Sequence, residues 1–140
     1  MSGKITPQQL ARKFQQALKS GDPSAVASLY TEDATYREGS QISQGQKEIR
    51  EAYAVTLGTF SDIDVEFWNI LTCGEYFVYE GTWRGTHTGP LAGSEGDIPP
   101  TGRKVEIAFA FVAKVTPEGL VQQDHTYSDS AQMMEQLGLG

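Results

Sequence analysis

The chain has 140 residues, 39% hydrophobic and 21% charged, which is a globular composition long enough for a single domain that buries a core without staples. A net charge of −7 with no basic run repels a phosphate backbone, so nucleic acid is not expected as a partner. The single cysteine, Cys73, excludes an internal disulfide and suits a reducing, cytoplasmic setting; the first residues carry no apolar run, so neither a leader nor a membrane anchor is expected.

Thr6-Pro7-Gln8-Gln9 reads as a helix start, with Thr6 as cap, Pro7 in the first turn and Gln9 closing a capping box. Leu10, Phe14, Ala17 and Leu18 then share a face, and Gly21 ends the helix. Asp22-Pro23 restarts a short helix whose Val26, Leu29 and Tyr30 lie together. Ala34 to Glu38 is a short strand, and Gln46 to Leu57 is a third helix burying Ile49, Tyr53 and Leu57.

From Asp62 the period falls from 3.6 to 2. Asp62 to Phe67 alternates as a half-buried strand does, and Gly74 marks a turn. In the next strand, Tyr76 to Thr86, Phe77, Tyr79 and Trp83 take one face and Glu80, Thr82 and Arg84 the other. The glycine-rich stretch Thr88 to Gly102 reads as a long loop, a lid candidate. Lys104 to Val115 is apolar on both faces in its middle, and Leu120 to Asp129 forms the last strand before a short C-terminal helix. Helices followed by a meander give an α+β layout, a curved sheet wrapped on about three N-terminal helices with a pocket between the layers. The second apolar face around Ala110 predicts a homodimer through the outer side of the sheet.

Two sets of motifs carry a family resemblance. Gly85-Thr86-His87-Thr88-Gly89, Pro100-Thr101-Gly102-Arg103-Lys104-Val105 and Gln136-Leu137-Gly138 resemble the SnoaL-like polyketide cyclase and ester cyclase group. Ala17 to Asp22, Asp33-Ala34-Thr35 and Glu48 to Glu51 resemble ketosteroid isomerases. Both groups belong to the nuclear transport factor two-like superfamily, and the resemblance implies its cone-shaped α+β fold over almost the whole chain. It also implies catalytic positions, and here the sequence departs. The aspartate that serves the cyclases as acid and base corresponds to Thr126. The general base of the isomerases corresponds to Glu38, but their two oxyanion donors fall on Phe14 and Phe111, which cannot donate a hydrogen bond.

If Thr126 faces the interior, alternation brings Asp124 and Ser128 there too, one pleat away. A carboxylate in an apolar cleft has its pKa raised and suits proton transfer at neutral pH. Glu38 and Asp124 are therefore the candidate catalytic pair, against the plainer readings of a solvated loop carboxylate and a rim residue. Phe14, Tyr30, Tyr36, Tyr79, Trp83, Phe109, Phe111, Thr126 and Ser128 are candidate contacts for a small hydrophobic ligand, and Trp68 completes the aromatic set; core packing is the competing reading for each ring. His125 falls on the opposite face from Asp124. His87 either lines the cavity mouth or ties down its own turn. Two histidines and one cysteine give no metal-ligand spacing, and no phosphate or dinucleotide loop is present, so no cofactor is expected. Three classes of function remain open: a cofactor-independent cyclase or isomerase acting on a hydrophobic carbonyl compound, a non-catalytic ligand-binding protein, and a domain that serves only to dimerise, which would require the cavity to be filled by its own side chains.

Overall fold

In a computed structural model that describes residues 4–93 and 95–139, the chain opens with helices α1 (Pro7–Ser20) and α2 (Pro23–Ala27). The capping box forms as the sequence predicts. The Gln9 backbone N–H donates to the Thr6 hydroxyl at 3.1 Å, and the Thr6 N–H donates to the Gln9 side chain at 2.8 Å. Gly21 takes the left-handed conformation that ends α1, with φ 73°.

Strands β1 (Tyr30–Glu38) and β2 (Gln41–Gln44) precede helix α3 (Gln46–Thr59); β3 (Phe60–Cys73) and β4 (Tyr76–His87) follow. A small hairpin, β5 (Leu91–Gly93) and β6 (Gly96–Ile98), leads to β7 (Lys104–Val115), β8 (Val121–Ser128) and helix α4 (Ser130–Gln136). The large sheet runs β2-β1-β8-β7-β4-β3, and every neighbouring pair is antiparallel except β1 with β8. This is the expected α+β layout, with a curved sheet that remains open at the β2 and β3 edges. Among the described residues no helix is long and apolar enough to cross a membrane.

Alternation sorts the sheet. Phe109, Phe111 and Ala113 of β7 stand beside Gly81, Tyr79 and Phe77 of β4, and this face packs against Leu10, Phe14 and Ala17 of α1. A second cluster, Phe60, Ile63, Val65, Val105, Ile107 and Leu137, fills the other end. The C-terminal motif serves that end. The Glu106 N–H donates to the Gln136 side chain at 2.7 Å, whose amide donates back to the Glu106 carbonyl at 3.0 Å, and Leu137 is buried beside them.

Three expectations need correction. Tyr30 does not continue α2; it begins β1, because the Val121 N–H donates to the Leu29 carbonyl at 2.8 Å and draws the chain into the sheet. β1 and β3 both outrun the lengths their local patterns mark, since pairing partners carry them on. The stretch Thr88 to Gly102 is not an unstructured loop, because Leu91 pairs with Ile98 and Gly93 with Gly96. On the outer face of the sheet Ala108 is exposed, and Ala110 and Val112 are half-buried.

Candidate functional site

The site lies where the first strand meets the last. In the parallel β1–β8 register Tyr36 stands beside Asp124 and Glu38 beside Thr126; on the other flank β7 places Ala113, Phe111 and Phe109 beside Asp124, Thr126 and Ser128. One face of this seam therefore carries both candidate carboxylates and both hydroxyls named from the sequence.

Asp124 is 2% exposed. Its Oδ2 accepts from the Tyr30 phenol at 2.6 Å and its Oδ1 from the Thr126 hydroxyl at 2.7 Å. Burial pushes its pKa up to about 6; the two donated hydrogen bonds oppose that shift and the Glu38 charge adds to it. The Tyr30 oxygen lies 2.8 Å from the Tyr53 hydroxyl on α3, which extends the chain of polar groups towards solvent. Burial, followed by the charge of Asp124, holds the Tyr30 and Tyr53 phenols well above their ordinary range.

Glu38 sits nearer the surface. The Tyr36 phenol donates to its Oε1 at 2.7 Å and the Ser128 hydroxyl to its Oε2 at 3.0 Å. Tyr36, Glu38, Gln41, Ala52, Tyr53, Val55 and Thr56 enclose a recess of about 110 Å³, room for a small ring or for the reacting end of something larger. Glu38 and Asp124 thus share a face but not a surface: Glu38 borders the recess, whereas Asp124 is sealed behind Tyr30 and Thr126.

The aromatic residues divide in a way their sequence positions do not signal. Phe14, Tyr79 and Phe111 belong to the buried core, with Tyr79 stacked on Phe111 at 4.6 Å and Phe14 edge-on to Phe111 at 5.6 Å. The Tyr79 hydroxyl donates to the Pro7 carbonyl at 2.7 Å. Trp83 packs edge-on to Phe60 at 5.1 Å in the second cluster, away from the recess. Trp68 points outward and donates to Thr82. Phe109 is half-buried between the two clusters. Phe14, Tyr79 and Phe111, expected as walls of a hollow, thus pack on one another in the core, whereas the recess beside α3 is bordered by Tyr36 and Tyr53.

Tyr53 is the member of the site that sequence reasoning left in the core. Its signal was available: a phenol four residues after buried Ile49 puts a hydroxyl on a buried helix face, where it needs a partner. His87 bonds not its own turn but the segment before β7, its Nδ1 accepting from the Thr101 N–H at 3.1 Å, while its Nε2 is buried without a partner. His125 stands beside Val112 on the outer face, and Cys73 is exposed. Among the described residues no three His, Cys, Asp or Glu side chains are grouped to hold a metal ion.

The sequence profile of the SnoaL-like polyketide cyclases matches residues 8–137. The chain belongs to that family. TsrD from Streptomyces laurentii is 25% identical with a TM-score of 0.79, over 95% of each chain. IdmH from Streptomyces antibioticus, described as a candidate polyketide cyclase, is 24% identical with a TM-score of 0.77, over 96% of this chain and 99% of its own. A protein of ketosteroid isomerase-like fold from Catenulispora acidiphila, solved with trimethylamine, is 17% identical with a TM-score of 0.80, over 96% of each chain. The likenesses below 25% identity speak for the fold alone. No curated protein matches the chain.

Proposed function

We propose that this SnoaL-like protein is a cofactor-independent proton-transfer enzyme of the cyclase or isomerase kind, acting on a hydrophobic carbonyl compound. Glu38 is the general base: it removes a proton from the carbon next to the carbonyl. The observation that carries the reading is a carboxylate bordering a recess, with each oxygen held by a hydroxyl, so that its position is fixed before a ligand arrives. Tyr36, Thr126 and Ser128 supply polar contacts on the same face. Asp124 acts from behind this surface rather than on the substrate directly.

The test uses a model ketone, since the reaction class can be read without the natural substrate. Cyclohexanone in deuterated buffer should exchange its α-protons faster with the protein than without it. Glu38→Gln should cut that enhancement by about 10²–10⁴-fold. Equal rates for both proteins would remove Glu38 from the chemistry. The second reading, ligand binding without catalysis, is favoured by the phenylalanines at the two oxyanion positions, which lie in contact with each other and offer no donor. It predicts binding of the ketone with no exchange in either protein.

The proposed partner is a second copy, packed on the outer sheet face where Trp68, Leu71 and Tyr127 are more than half exposed. Sedimentation of the wild type and of Trp68→Glu would read that directly, a monomeric wild type refuting it. A reducing cytoplasmic setting would keep the exposed Cys73 a thiol.

A further inference from the structure

We propose that the charge on Asp124 decides whether the recess presents a hydrogen-bond acceptor or a donor at Tyr53, with Tyr30 as the intermediary, and so selects which ligand group binds there. This rests on the recess being the ligand site. Each phenol has one proton. An ionised Asp124 has none, so the Tyr30 proton must point to it across the 2.6 Å contact. The 2.8 Å contact between Tyr30 and Tyr53 then forms only with Tyr53 donating. Tyr53, which borders the recess, has a lone pair left to offer and no proton.

Adding a proton to Oδ2 of Asp124 reverses every bond in the chain. The acid donates to Tyr30, Tyr30 donates to Tyr53, and the Tyr53 proton is freed to turn towards the recess. No heavy atom has to move, and the extra donor emerges where a ligand can accept it. Placing the proton on Oδ1 would instead leave the Thr126 hydroxyl to find another acceptor within the half-buried wall. The titratable groups facing Asp124 are Tyr30, Tyr36 and Glu38 from β1 and Tyr53 from α3; β7 contributes Ala113, and Phe14 of α1 lies edge-on to Tyr30, both uncharged. Glu38 lies outside this chain of bonds, its two oxygens accepting from the Tyr36 and Ser128 hydroxyls. Ligand hydroxyls and phenols thus suit the ionised state, and carbonyl or enolate oxygens suit the neutral one.

The inversion can be read with tyrosine labelled at ¹³Cζ and aspartate at ¹³Cγ, titrated from about pH 4.5 to 8, with phenol and cyclohexanone as probes. In the wild type the Tyr53 signal should follow the Asp124 titration. The preference for phenol over cyclohexanone should swing about tenfold across it, the worth of one hydrogen bond. In Tyr30→Phe, Asp124 should still titrate while Tyr53 stays still and the preference becomes flat. A Tyr53 signal that follows Asp124 even in Tyr30→Phe would mean that charge is felt through space, and would overturn the inversion; so would a flat wild-type preference. Loss of ketone exchange in Glu38→Gln with the swing intact leaves the inversion standing, whereas normal exchange with no swing defeats the inversion alone.

Discussion

Replacing Asp124 with asparagine should change how stability depends on pH, and the size of the change follows from its burial. The carboxyl has a pKa of about 6 in the folded chain against an ordinary 3.8, so the folded state holds this proton more tightly than the unfolded chain does. The contribution of the group is therefore greatest below about pH 4 and is lost as pH rises through about 6. A shift of ~2 units corresponds to ~3 kcal/mol, the cost of keeping a charge in an apolar interior with two hydrogen bonds to soften it. Asparagine has no charge to desolvate and can still hydrogen-bond Tyr30 and Thr126. Urea unfolding of both proteins at intervals from about pH 4 to 7.5 gives two stability curves, and their difference cancels the carboxylates they share. Asparagine should gain on the wild type by ~3 kcal/mol over that range, most of it between about pH 4 and 6. Parallel curves would show that Asp124 titrates alike in the folded and unfolded chain, and the account of its environment would be wrong.

Two substitutions away from the seam probe the frame. Gly89→Ala should destabilise the fold by about 3 kcal/mol, because an added Cβ would run into the Gly58 carbonyl oxygen where the chain closes on the end of α3; thermal unfolding reads it, and an unchanged midpoint would contradict the packing. Tyr79→Phe removes only the hydroxyl that donates to the Pro7 carbonyl, so it should cost about 1 kcal/mol, a fall of about 4 °C in midpoint, with no effect on ketone exchange. A loss of exchange in that variant would place Tyr79 nearer the chemistry than the geometry allows.

Local physics made much of this architecture legible. The Thr6–Gln9 box and the Gly21 stop act over a few residues and stand where the pattern puts them, and each period-two stretch lies within a strand that pairing carries further. Parity on the last strand was equally readable: once Thr126 is assigned inward, Asp124 and Ser128 must accompany it, and they do. The meeting of Glu38 with that strand was beyond any local pattern, for it depends on a parallel pairing between segments some ninety positions apart. The resemblance to isomerases supplied Glu38; spacing could not. The division of the rings was illegible for a different reason. Phe14 keeps the helical spacing and Tyr79 and Phe111 the strand alternation that site residues would, so nothing in their spacing distinguishes a cavity wall from a filled core. Tyr30 was misplaced in a helix because a residue's periodic company says nothing about a strand that arrives from the far end of the chain.

That late arrival has a bearing on how the protein is made. During synthesis the first strand emerges with its hairpin mate, but its other edge waits until β8, some ninety residues later, has left the ribosome. Until then Tyr30 has no carboxylate to bind and Glu38 has no serine, so a chain halted before Asp124 has half of its polar machinery and an uncovered strand edge. Completion of the seam thus covers the free edge of β1 and assembles the polar cluster in one step.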